Sequence, residues 1–148
     1  MRQAESLRPP VCPGVLAGVT EPMIREVVHA FYARVRADAT LAPIFEREID
    51  GRWDAHLAKL CDFWSSVLLM TGRFKGTPMA VHARLPEIGP DHFTRWLGLF
   101  RQTVEDLCPA QAATLFVARS KMIAQSLQIG IAASRGELPE FSPQGARA

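Results

Sequence analysis

His82 is the residue of this chain best placed to do chemistry. It lies in a short stretch closed by Pro78 and Pro86, where Met79, His82 and Leu85 share one side at helical spacing. So short a segment turns only one face inward. An imidazole held there among apolar side chains can serve as the protein ligand to an iron porphyrin; equally, it can be an ordinary half-buried core histidine. Three more polar residues stand on apolar stripes elsewhere. Tyr32 follows Phe31. His56 comes three after Trp53 and four before Leu60, and Trp96 three after Phe93 and four before Phe100. Phenol, imidazole and indole all donate hydrogen bonds. Singly, each reads as packing. Jointly, they set three donors near an apolar interior, with a second histidine on a separate segment. His29 (a turn before Tyr32) and His92 (at a helix start) carry no evident chemistry, and Cys61 beside Leu60 reads as packing.

The elements that must position these residues are helices. Thr20, Glu21 and Pro22 supply a hydroxyl cap, a first-turn carboxylate and an early proline. Ile24, Val27, Val28, Phe31 and Val35 then keep a helical period to about Arg36. A short turn of helix is expected over Leu41–Phe45. Asp50-Gly51 is expected to open the next long helix, whose stripe of Trp53, Leu57, Leu60, Cys61, Trp64, Val67 and Leu68 stops near Thr71-Gly72. A loop leads to the short His82 segment. Pro90-Asp91 begins a helix carrying Phe93, Trp96, Leu97, Phe100, Val104 and Leu107, and Cys108-Pro109 ends it. Ala112, Leu115, Phe116, Met122, Ile123, Leu127 and Ile131 fill a last helix to about Ser134. No β-type alternation of any length appears. The expected fold class is all-α with about five helices: an arm over 1–18, one domain over 19–135 and a tail over 136–148.

Bulk properties narrow the function. A chain of 148 residues, 48% hydrophobic and 22% charged, can bury a core without staples. A net charge of +2, with no basic helix, argues against nucleic acid. No apolar run approaches the roughly 20 residues of a membrane span, so no membrane role is expected. Three cysteines without a CxxC suggest neither a disulfide framework nor a zinc ribbon, and favour the cytoplasm.

Several stretches in order carry a family resemblance: Phe31 to Arg36, Pro43 to Phe45, Trp53 to His56, Phe63 to Leu69, Gly76 to Met79 with His82 and Leu85-Pro86, and His92 to Leu97 with Leu99-Phe100. On these the chain resembles the truncated haemoglobins, from about Thr20 to Ile131. The absence of a Gly-Gly pair agrees with their group III. The resemblance implies a globin-like, shortened two-over-two helical sandwich and a b-type haem held without covalent attachment. His82 is then the proximal iron ligand, and Tyr32, His56 and Trp96 are the distal polar residues around bound ligand. Phe45 packs on the porphyrin face and Leu60 closes the distal pocket. Phe31, Trp64, Met79, Leu85 and Phe93 are expected to complete the cofactor pocket, with Arg73, Lys75 and Arg84 as candidates for its carboxylates.

One imidazole on iron leaves a coordination position for O2, NO, CO, cyanide or peroxide. Two distal donors imply slow release, which suits redox chemistry such as peroxide reduction or conversion of NO to nitrate. A distal His56 can act as general base and acid. The chain has no Gly-rich flavin or nicotinamide motif, so NO conversion implies a separate reductase. A non-enzymatic carrier or gas sensor, a haem-free helical interaction module, and a zinc site from His56, His82, His92 and Cys61 are the alternatives. A monomer or weak homodimer is expected.

Overall fold

The computed structural model describes residues 12–76, 88–134 and Gly136. Its described elements run in the order α1 (Pro13–Leu16), α2 (Glu21–Ala37), α3 (Ala42–Ile49), α4 (Trp53–Leu69), α5 (Pro90–Leu107) and α6 (Ala110–Ser134). All are helical, and no strand occurs among the described residues. His82, Met79, Leu85 and Arg84 lie outside the described residues.

Local chemistry explains the helix limits. The Thr20 hydroxyl oxygen accepts from the Met23 N–H at 3.3 Å and so caps α2, with Pro22 in the first turn. Ile24, Val27, Val28, Phe31, Tyr32 and Val35 form the buried face of α2, as the spacing predicts. The Asp38 carboxylate ends the connection that follows. It accepts from the Thr40 and Leu41 N–H groups at 3.1 and 2.9 Å, and from Arg95 Nε on α5 at 2.7 Å. The hydrogen bond from Arg95 holds the buried Asp38 carboxyl below its ordinary value.

The structure corrects the sequence reading between α3 and α4. The short turn expected over Leu41–Phe45 continues to Ile49, because Ile44 and Ile49 both find the core. Asp50-Gly51 does not open α4. Both residues have left-handed backbones, φ 48° and 79°, and they terminate α3. The next long helix starts at Trp53.

Helix α2 packs against both α4 and α5, and α5 packs along α6. Two helix pairs, α2 with α4 and α5 with α6, thus meet through α2 and α5. The larger core cluster fills this meeting with Phe31, Trp64, Phe100 and Phe116. A smaller one joins α3, α5 and α6 through Ile44, Ile88, Phe93, Ala124, Leu127 and Ile131. Trp96 packs on both. Among the described residues no helix is long and apolar enough to cross a membrane.

Of the segment expected as an arm, residues 1–11 lie outside the described residues, and the remainder carries α1. Helix α1 packs on the end of α4, where the Cys12 thiol donates to the Leu69 carbonyl at 3.6 Å. Gly14 is buried there. A Cβ at this position would sit 2.3 Å from the Leu68 carbonyl oxygen, a backbone atom that cannot move aside. Gly14→Ala is therefore expected to destabilise the protein by about 1–3 kcal/mol, read as a lower urea midpoint. An unchanged midpoint would show that α1 contributes nothing to the core.

Candidate functional site

The two residues that open the site are neighbours on the buried face of α2. Phe31 is fully buried and meets Trp96 and Phe100 of α5 edge-on, at centroid distances of 5.4 and 5.1 Å. Tyr32, 6% exposed, turns the other way, toward α3 and α4. Its ring lies 5.9 Å from Phe45, 6.0 Å from Trp53 and 5.6 Å from His56. The Trp96 indole lies on the same phenol, and its N–H favours the ionised oxygen, lowering its pKa slightly. Indole is a donor only, so this contact leaves the phenolic proton to be directed elsewhere. Tyr32, His56 and Trp96, three residues from three helices, are thereby brought together.

Electrostatics keep that phenol neutral. Burial pushes its ionisation well above the ordinary value, against a smaller lowering by the Trp96 indole. At neutral pH the phenol therefore keeps its proton and can donate it in a hydrogen bond.

Trp53 completes the corner; in the sequence it stands in an apolar stripe and in the stretch to His56 that carries the resemblance, with no role expected at the site. Its ring is edge-on to His56 at 5.8 Å. Its indole N–H donates to Glu46 Oε1 at 2.8 Å, while Arg36 Nε donates to Glu46 Oε2 at 3.0 Å. The Arg36 guanidinium carbon sits 4.5 Å from the Trp53 ring centroid. The signal was present in the spacing, since Glu46 and Trp53 bracket a turn, but a carboxylate acceptor for an indole leaves no periodic trace.

The other expected residues are placed as follows. Phe45 is half-buried and packs between Tyr32 and a cleft. That cleft is narrow, with a cavity volume of only about 20 Å³, and is lined by Leu41, Ile44, Phe45, Ile88, His92, Phe93, Trp96 and Leu127. Phe93 is buried in its wall. Leu60 packs half-buried against the larger core cluster, as does Cys61, whose thiol is pushed up by burial. Trp64 stacks on Phe100 at 5.2 Å and Trp96 stacks on the same ring at 5.8 Å, so the three make a run of near-parallel rings. Trp64 thus lies in the core behind the corner and not at its surface. His92, read as chemically silent, lines the cleft. Its Nδ1 accepts from the Gly89 N–H at 3.0 Å, which leaves Nε2 to carry the proton of the neutral ring. His29 borders a separate surface groove with Arg25 and Leu107. Arg73 pairs with Glu21 at 3.0 Å, in a cluster where Ser65 donates to the same carboxylate and meets the Thr71 hydroxyl. Among the described residues no group of three His, Cys, Asp or Glu side chains could hold a metal ion.

The donor set can be tested against the cofactor that the resemblance implies. A flat, largely apolar ring system needs carbon-lined walls beside it and few polar groups aimed at one spot. The cleft supplies the first through Ile44, Phe45, Ile88, Phe93 and Leu127, and the Tyr32–His56–Trp96 corner supplies the second. The residues present fit a haem.

No family model matches the chain. The chain is 32% identical over 113 residues to a curated protein, the group 3 truncated hemoglobin ctb of Campylobacter jejuni, a match covering 74% of this chain and 89% of that one. The crystal structure of group III truncated hemoglobin from Campylobacter jejuni superposes with a TM-score of 0.71 at 32% identity, again over 74% of this chain and 89% of the other.

Tyr32 is the only tyrosine in the chain, so tyrosinate absorbance reports it alone. A folded value raised above the unfolded one contributes stability that is complete below pH 10 and is lost as pH rises further. The expected result is no tyrosinate signal until the protein unfolds in alkali, with both transitions coincident. Ionisation near pH 10 in the folded protein would contradict the buried position.

Proposed function

We propose that this chain, which belongs to the group III truncated haemoglobins, is a haem b protein that takes small gas ligands and peroxide for redox chemistry, with His82 as the protein ligand to iron. The observation that carries this reading is the buried polar corner, in which the Tyr32 phenol is closed in among aromatic rings with His56 edge-on beside it at 5.6 Å.

When bound, haem supplies an iron with one coordination position for a ligand and a capacity to exchange electrons. The chain's own residues do the rest. The Trp96 indole favours charge on the Tyr32 oxygen and so polarises the hydroxyl into a better donor. The phenolic proton is then available to a ligand carrying partial negative charge. Such a bond contributes on the order of 1 kcal/mol, more where water is excluded. Phe31, Phe45 and Trp53 surround the phenol and exclude that water. His56, beside Tyr32, is the group that can hold or pass a proton through its ring nitrogens.

A donor wall of this kind retains ligand. Retention suits peroxide reduction or conversion of NO to nitrate better than reversible delivery, and in both cases the electrons come from a separate reductase. The same reading places the protein in the cytoplasm as a monomer or weak homodimer.

The first test is the absorption spectrum in ferric, dithionite-reduced and CO-bound forms. A Soret band that shifts on reduction and on CO, and that His82→Ala loses or alters, supports the reading; no Soret band after addition of hemin overturns it. In the loaded protein, Tyr32→Phe is expected to speed O2 release about tenfold. Trp96→Phe should have a smaller effect, and little further effect in the Tyr32→Phe background, because it acts through the phenol. Unchanged release in both single variants would remove the distal donors from the account.

A further inference from the structure

The distal corner has an outer layer that no part of the ligand chemistry explains. Glu46 on α3 takes Arg36 from the end of α2 with one carboxylate oxygen and Trp53 from the start of α4 with the other. The guanidinium that pairs with Glu46 also covers the Trp53 ring, at 4.5 Å from its centroid. Trp53 is thus held on its edge by an anion and on its face by a cation. The side chains of Arg36 and Glu46 are 48% and 43% exposed, whereas Trp53 beneath them is 6% exposed. From solvent inward the order is therefore ion pair, indole, then the His56 and Tyr32 rings that Trp53 touches at 5.8 and 6.0 Å.

An exposed ion pair contributes little to stability. This one joins the end of α2 to α3 and, through the same carboxylate, to the start of α4, and it fixes a single ring. We propose that Glu46 is a positioning residue that latches Trp53 against His56, so that the Arg36–Glu46–Trp53 cluster governs how readily small ligands pass between solvent and the distal corner. The inference rests on the haem reading above. Trp53 is the moving part, because its single polar group, the indole N–H, is tethered by the Glu46 oxygen. Release of that tether frees the indole to turn, and His56 loses one wall of its corner. A gate of this kind alters the barrier and not the bound or free states, so it changes ligand association and dissociation by one common factor. Tyr32, in contrast, acts on the bound state and changes dissociation alone.

The experiment is CO and O2 flash photolysis and stopped flow on the haem-loaded protein and on Glu46→Ala, Trp53→Phe and Glu46→Gln. The expected result is a parallel rise of association and dissociation rates in the first two variants, by about two- to fivefold, with the equilibrium constant unmoved. Glu46→Gln keeps an acceptor for the indole and should stay close to the unmodified protein. A second readout does not depend on ligand turnover: exchange of the Trp53 indole N–H, followed by NMR in the CO form, should quicken in Glu46→Ala. Rates and exchange unmoved in Glu46→Ala overturn the latch while leaving the haem reading intact. A change in dissociation alone overturns the gate, since it assigns the cluster to the bound state. A protein that takes up no haem overturns the reading beneath it and the gate with it.

Discussion

One hydroxyl, buried where the two helix pairs meet, constrains the architecture around it. Tyr32 lies in a wall of aromatic rings, and a phenol without a partner in such a place is costly. The Trp96 indole lies on that phenol from the facing pair. Helices α2 and α5 meet at this level, where Phe31 and Trp96 touch at 5.4 Å. Phe31 enforces the same level from the adjacent position, with edge contacts to Trp96 and Phe100. Apolar packing sets how close the pairs approach, and these ring contacts set where along their length they do so.

The second constraint is carried by carboxylates around the short α3. Asp38 precedes it and ties the α2–α3 corner to α5 through Arg95. Glu46 lies within it and ties the end of α2 to the start of α4. A helix of eight residues is marginal alone. Besides buried Ile44 and Ile49, it has polar ties from Asp38 before it and Glu46 on it, and it carries Phe45 between the phenol and the cleft.

Much of this was legible before any coordinates. Thr20, Glu21 and Pro22 announce α2, and its apolar spacing names the buried face. Tyr32, His56 and Trp96 stood out because polar groups on apolar stripes are few, and the structure brings all three to one corner. Asp50-Gly51 misled for a physical reason: aspartate and glycine serve helix starts and left-handed helix ends alike, and only the backbone angles distinguish them. Trp53 was hidden because it satisfies the stripe and the site at once. His92 was seen as a helix start, which it is, but a residue that caps with Nδ1 still has an outer ring edge to offer a cleft. Contacts between helices are set by crossing geometry, and no periodicity within one helix contains it.

The double membership of Trp96 bears on which positions tolerate substitution. Its ring belongs to both core clusters and stacks on Phe100, which in turn stacks on Trp64. A change at position 96 is therefore felt by ligand wall and scaffold together. His56 and Leu60 are only half-buried, so a substitution there disturbs less of the scaffold, and ligand preference can be retuned at those positions with less cost to folding than at the indole.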